Sequence, residues 1–324
     1  TVQLRLPGGG RIEYSVPDSL RRLSDLKQLP KPVEAVSLSL LDERTALLKV
    51  RDFETFDEEK IVGFFRELEE KQVPNLIIDL RDNPGGAATN IAFLYGFFTD
   101  KPFRLASCLK ANTNGDYAFF AHTDGFQGNQ GWTADFRPRP GKAGVYLTPD
   151  MAAAGQDGDL ALQSVQPAHR YRGKVAVLTN GLTLSAAGIF AALLHRDGRA
   201  TVIGEETGAG YYRMNGLKFP KLFLPGTRMT LTVPLVQSIF TEDLNPGIPE
   251  GRGVLPHYEI APRLEDLLNG TDRELAFAQD LLRWGPAVLR ARRLAAPVGV
   301  PFLALLSLAV VVGGRARQRV RRRG

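Results

Sequence analysis

Between Ala46 and Leu80 the apolar residues switch period twice, from strand to helix and back. Ala46-Leu47-Leu48-Lys49-Val50 is a short apolar run of the kind that forms a strand. From Asp57 to Lys71 the apolar positions Ile61, Val62, Phe64, Phe65 and Leu68 recur with the 3.6 period, which predicts an amphipathic helix. Leu76-Ile77-Ile78-Asp79-Leu80 then reads as a buried strand. It ends in the turn Arg81-Asp82-Asn83-Pro84-Gly85-Gly86, and a helix-like run follows through Ile91, Phe93 and Leu94. The order repeats from Val175 to His195 and again at Thr201-Val202-Ile203-Gly204. Alternation of this type predicts an α/β core with largely parallel strands.

The flanks break the rhythm. Residues 107–172 are rich in Gly, Asn and Pro with weak periodicity, which predicts a loop-rich excursion of the sort that walls a binding cleft. Near the start, Thr1–Leu6 and Arg11–Val16 flank Pro7-Gly8-Gly9-Gly10 and read as a β-hairpin. A lone hairpin is marginal, so residues 1–32 are expected to close a β domain whose earlier strands lie upstream. From Leu294 to Gly314 there is no charged residue across 21 positions, long enough to span a bilayer as a helix. Arg290, Arg292 and Arg293 precede this stretch, and six arginines follow it in residues 315–324. The heavier positive flank predicts a cytoplasmic tail and an extracytoplasmic body. A buried core helix and a cleavable C-terminal sorting signal are the alternatives for the same layout.

Composition narrows the classes. With 44% apolar and 23% charged residues in 324, the chain is globular and large enough for one substantial domain with appendages. The six tail arginines account for the whole formal excess of +6, so the body is neutral and carries no basic face for nucleic acid. The single cysteine, Cys108, excludes an internal disulfide framework and reads as a buried small hydrophobe. The four histidines stand singly and no Cys/His cluster has metal spacing, so neither a metal nor a cofactor is expected.

Chemistry concentrates at two strand ends. The apolar run Val175–Thr179 stops at Asn180-Gly181, and Ser185 then opens the small-residue helix Ser185-Ala186-Ala187-Gly188-Ile189-Phe190. A serine there can present its hydroxyl at the mouth of a cleft, with free helix N–H groups behind it for an oxyanion. It can equally be an ordinary N-cap. The paired Gly85 and Gly86 at the other strand end let a backbone N–H approach a ligand closely, or simply end the strand. In open α/β sheets, ligands bind at this carboxyl edge.

Three segments, in order, resemble the S41 serine peptidases, which include the C-terminal processing and tricorn-like proteases. Asp79-Leu80-Arg81-Asp82-Asn83-Pro84-Gly85-Gly86 is similar to the D-L-R-x-N-P/G-G-G motif of that family. Ser185–Phe190, followed by Asp197-Gly198-Arg199-Ala200 through Gly204-Glu205-Glu206-Thr207-Gly208, resembles its serine and G-R-A…G-E-x-T-G block. Gly247-Ile248 through Gly253-Val254-Leu255-Pro256 is similar to its closing G-V-x-P-D segment, with His257 in place of the Asp.

The likeness spans about residues 33–283 and implies a ClpP/crotonase-like α/β core, with a remnant of a PDZ-like module in the N-terminal hairpin. It implies peptide-bond hydrolysis on polypeptide substrates through an acyl-enzyme on Ser185. Ala186 and the Gly85-Gly86 turn would supply the oxyanion hole.

The resemblance does not complete the site. The processing-protease branch places a lysine 25 residues after the serine, where this chain has Gly210. The tricorn-like branch uses a histidine assisted by a glutamate, with the histidine upstream of the PDZ-like module; the chain therefore looks tricorn-like. His195 is ten residues along the helix of Ser185, about 15 Å away, and cannot reach it. His257 reads as structural, and His122 and His169 as surface residues of the excursion. Glu250 is the candidate supporting carboxylate, or else a solvated loop acid. The expected function is a membrane-anchored extracytoplasmic serine endopeptidase. An inactive peptide-binding scaffold of the same fold is the alternative, and a crotonase-type acyl-CoA enzyme the third reading.

Overall fold

The computed structural model describes residues 2–5, 11–14, 34–113, 117–123, 135–148, 160–163, 165, 168–217 and 219–295. The chain divides into two units, Thr1–Glu34 and Ala35–Gly324. In the first, β1 (Val2–Arg5) and β2 (Arg11–Tyr14) pair antiparallel, which is the predicted hairpin.

The second unit is built on a six-stranded sheet. Its strands are β3 (Val36–Asp42), β4 (Thr45–Val50), β5 (Asn75–Asp79), β9 (Lys174–Thr179), β10 (Thr201–Gly204) and β15 (Tyr258–Glu259), the edge strand opposite β3. β3 is antiparallel to β4, and every later neighbour is parallel. Each crossover advances one strand in the same direction. Right-handed connections therefore place α1 (Glu58–Glu70), α2 (Ala88–Tyr95) and α3 (Ser185–Arg196) on one face. Alternation along the strands serves both faces. Leu76, Ile78, Val175 and Val177 pack with these three helices, whereas Ile77, Ala176 and Leu178 pack with Ala278, Leu281 and Leu282 of α5 (Arg273–Ala295).

Local chemistry sets the helix limits. The Asp57 side chain caps α1 by accepting the Lys60 N–H at 3.0 Å, and Ile61, Phe65 and Leu68 form its buried stripe. Central strand β5 is buried at all five positions, as a parallel strand covered on both faces must be.

The excursion departs from the expectation. Parts of residues 107–172 are not loop but strands β6 (Cys108–Ala111), β7 (Arg137–Pro138) and β8 (Val145–Leu147). They join β11 (Arg213–Gly216) and β14 (Val236–Ile239) in an antiparallel sheet ordered β11-β14-β6-β8-β7. Hairpin β12 (Lys221–Leu224) and β13 (Met229–Thr232), the short helix α4 (Leu264–Asn269) and a 3-10 turn at Ala118–His122 complete the described elements. Among the described residues no helix is long and apolar enough to cross a membrane; the predicted span 294–314 lies, beyond its first two residues, outside them.

Candidate active site

β5 and β9 lie side by side in register, with Asp79 opposite Leu178, so the turns that follow them emerge at the same sheet edge. Side chains then stitch the turns together. The Thr183 hydroxyl donates to the Leu80 carbonyl at 2.9 Å, and Asn180 Nδ2 donates to Asp82 Oδ1 at 2.8 Å. The Asp82 N–H donates back to Asn180 Oδ1 at 3.1 Å, and the Leu184 N–H donates to the Asn83 carbonyl at 2.9 Å.

Ser185 stands at the centre of this junction. Its hydroxyl does not cap the helix: Leu184 stands at the cap position, no side chain bonds the first turn, and Ser185 opens α3. Its φ is +44°, a left-handed conformation that costs a side-chain-bearing residue about 1–3 kcal/mol. Its half-buried hydroxyl has no hydrogen-bond partner among the described residues.

Gly85 explains why the turns can come so close. A Cβ there would lie 2.4 Å from Ser185 Cβ, 2.9 Å from Ala186 N and 3.0 Å from Ser185 Oγ. Gly86 is closed on its other flank, where a Cβ would meet the Phe53 carbonyl carbon at 2.2 Å. Both glycines have positive φ, +108° and +144°. The predicted donors divide between them. The Gly85 N–H is taken by Asn83 Oδ1 at 2.9 Å, whereas the N–H groups of Gly86 and Ala186 have no acceptor among the described residues. The geometry thus packs Gly85 on Ser185 and Ala186, with Gly86 next in the turn, and the N–H groups of Gly86 and Ala186 and the Ser185 hydroxyl have no partner among the described residues.

Residues 44–260 match peptidase family S41. The chain belongs to that family. Among solved structures it is similar to a candidate peptidase from Parabacteroides merdae, at 20% identity and TM-score 0.46, covering 78% of this chain and 65% of the other. The photosystem II D1 C-terminal processing protease is 16% identical with TM-score 0.43, covering 72% of this chain and 50% of its own. Mature CPAF is 16% identical with TM-score 0.48, covering 76% and 53%. The chain spans half to two-thirds of the length of these structures, and the family assignment rests on the match over residues 44–260.

Where the processing branch of S41 carries its lysine, this member has closed backbone. Gly210 bridges Gly253, and a Cβ on it would lie 2.3 Å from the Arg213 carbonyl oxygen. No described histidine bonds Ser185 either. His195 Nδ1 pairs with the Tyr211 hydroxyl at 3.2 Å, and its ring centroid is 4.9 Å from that of His257. His257 Nδ1 accepts the Val202 N–H at 3.0 Å, a structural task that needs that nitrogen unprotonated. Burial pushes both imidazoles below their ordinary pKa, and for His195 the proximity of His257 adds to it. His169 pairs with Glu69 of α1 at 2.6 Å, and His122 is exposed at the end of a short 3-10 turn. Glu250 is not brought to the serine: it is exposed and paired with Arg213 at 2.9 Å.

One charged residue of the S41 motif has a role that sequence reading missed. Arg81 is nearly buried and holds Asp79 at the end of β5, Asp272 before α5 and Glu274 within its first turn. Burial opposes the guanidinium charge, but hydrogen bonds to Asp79 and Asp272 outweigh it and bind the Arg81 proton more firmly than usual. Glu274 is pushed up by burial against the pull of Arg81, while in Asp272 that pull prevails over burial and the carboxyl lies below its ordinary value. The cluster pins the turn carrying Gly85 to the opposite face of the sheet. A cavity of about 510 Å³ beside it is lined by Lys49, Arg51, Asp82 and Asn180, and Ser185 is not part of that lining.

Proposed function

We infer that this S41 chain is the core of a serine-type endopeptidase with Ser185 as nucleophile. The observation that carries the reading is the left-handed Ser185, its hydroxyl free, packed on Gly85 beside the unpaired N–H groups of Gly86 and Ala186. A strained conformation held by the surrounding fold is a mark of a working site rather than of a helix cap.

In this mechanism Ser185 Oγ attacks the scissile carbonyl of a polypeptide and passes its proton to a base. The carbonyl oxygen becomes an oxyanion that accepts hydrogen bonds from Gly86 and Ala186. Collapse breaks the C–N bond, the leaving amine takes the proton, and water hydrolyses the acyl-enzyme to restore the serine. The closed backbone at Gly210 disfavours a serine–lysine pair at that position, and none of the four histidines bonds Ser185, so the base that takes the proton is a group from the remaining residues of the full chain.

The same reading places the chain at a membrane. Support comes from the 21 uncharged positions 294–314 between two arginine clusters, with an extracytoplasmic body. A non-catalytic peptide-binding scaffold is the second reading, favoured by the lack of any base bonded to Ser185 among the described residues.

Hydrolysis of an unfolded protein substrate by the full chain, set against Ser185→Ala, separates the two. Cleavage lost with Ser185→Ala supports the peptidase; cleavage absent from the native chain, or kept by the variant, overturns it. A topology reporter fused after Gly324 is expected to read cytoplasmic, and the opposite reading removes the proposed orientation.

A further inference from the structure

We propose that Asn83 is a positioning residue that sets the Gly85–Gly86 turn against the Ser185 elbow and assigns the turn's oxyanion donor to Gly86. The proposal rests on the peptidase reading of Ser185. Asn83 is fully buried, at 0% exposure, and all its polar groups are engaged. Nδ2 donates to the Val50 carbonyl at 2.8 Å, and Oδ1 accepts the Gly85 N–H at 2.9 Å. Its backbone N–H donates to the Leu80 carbonyl at 3.2 Å, and its backbone carbonyl accepts the Leu184 N–H at 2.9 Å.

Those partners lie on four different segments: the end of β4, the end of β5, the glycine turn and the residue that caps α3. One buried side chain and its peptide groups therefore tie the turn and the elbow to two strands of the sheet.

The amide has a single workable orientation. Flipped, Oδ1 would face the Val50 carbonyl and the NH₂ group would face the Gly85 N–H, leaving buried like-to-like contacts on both sides. In the observed orientation the Gly85 N–H is consumed, so the next donor along the turn, on Gly86, is the one left open. The Gly85 carbonyl accepts the Phe53 N–H at 2.7 Å, which ties the turn to its own strand side, whereas Asn83 is bonded both to the Gly85 N–H and to the Leu184 N–H and so links the turn to the elbow. The other cross-links, Thr183 to Leu80 and Asp82 to Asn180, join the turns without touching either Gly85 or Leu184.

The test uses the full chain carrying Asn83→Asp, with Asn83→Ser in parallel. Asn83→Asp keeps an acceptor for Gly85 but sets a carboxylate against the Val50 carbonyl. Asn83→Ser keeps an acceptor and loses the Val50 bond. By hydrogen-exchange mass spectrometry, segments 83–87 and 183–187 are expected to exchange at least about tenfold faster in Asn83→Asp, with β5 and β9 still protected. Fluorophosphonate labelling of Ser185, per folded molecule, is expected to slow by at least about tenfold. Relative to the native chain at the same pH, that rate should recover as pH falls, because the protonated carboxyl regains a donor for Val50. Asn83→Ser should show a smaller loss with no such recovery.

Unchanged exchange in both segments overturns the proposal. So does a labelling rate within about twofold of native while only the melting temperature drops. Loss of folding in both variants also overturns it, since that marks a framework residue. If the native chain is never labelled, the peptidase reading fails on its own, and the exchange pattern alone decides the role of Asn83.

Discussion

Gly85→Ala distinguishes a site built around a missing side chain from a strand that merely ends in glycine. The added Cβ would lie 2.4 Å from Ser185 Cβ, 2.9 Å from Ala186 N and 3.0 Å from Ser185 Oγ. Carbon atoms pack at about 3.5–4.0 Å, so turn and elbow must part by about 1 Å. Neither can yield cheaply, because the neighbours are backbone and a Cβ rather than the end of a long side chain. The φ of +108° adds strain of about 1–3 kcal/mol for any residue with a Cβ, and overpacking adds about 1–3 kcal/mol more.

Function should suffer beyond stability. A displacement of about 1 Å between reacting groups costs on the order of 10²-fold, and loss of one oxyanion donor about 10²–10³-fold. The expected result is a folded variant with a lowered melting temperature, in which fluorophosphonate labelling of Ser185 slows by at least about 10²-fold. Intact-mass kinetics normalised to the folded fraction by circular dichroism measure it. A rate within about threefold of native would refute the reasoning, because the glycine would then have no part in the geometry around Ser185.

Arg81→Ala leaves Glu274 buried without its cation and Asp79 with only Lys49 at 3.4 Å, and should destabilise the chain by about 3 kcal/mol, read as a fall in denaturant midpoint; an unchanged midpoint contradicts the pinning role. Gly210→Lys should not restore a serine–lysine pair, since its Cβ meets the Arg213 carbonyl at 2.3 Å; the check is substrate hydrolysis with melting temperature, and a gain in rate without loss of stability counts against the closed backbone. His195 and His257 have folded pKa values below the unfolded value of about 6.5, so the unfolded chain binds protons first as pH falls. Their stabilisation is present above that pH and lost below it; urea unfolding at pH 7.5 and about 5.5 should show a smaller loss for His257→Asn than for the native chain.

Much of this fold could be read from residue order, and the reasons are local. The period change from Ala46–Val50 to Asp57–Lys71 and the uniformly apolar Leu76–Ile78 mark β4, α1 and β5, because each element records its own burial along a few residues. The second sheet left no such trace. β7 and β8 span two and three residues, and β6 pairs with β14 more than a hundred positions away, so no local period identifies them.

The site divides in the same way. Ser185 and the glycine pair are visible as residue types at strand ends, and Ala186 follows from position. The left-handed φ of Ser185 and the diversion of the Gly85 N–H to Asn83 arise only from the packing of two turns. Asn83 stands in the quoted motif, but nothing in the string Asn-Pro-Gly-Gly reveals bonds to Val50 and Leu184. Arg81 likewise finds partners 191 and 193 positions onward. Glu250 stands in a matching segment too, and its pairing with Arg213, 37 positions back, is equally absent from the string.

Everything proposed for this chain turns on Ser185 being a nucleophile with a prepared oxyanion site. Its most direct test is to treat the full chain with a fluorophosphonate probe and map the adduct by tandem mass spectrometry. One covalent adduct is expected, on Ser185, absent from heat-denatured protein and from Ser185→Ala. No adduct on the native chain, or an adduct spread equally over other serines, would contradict it.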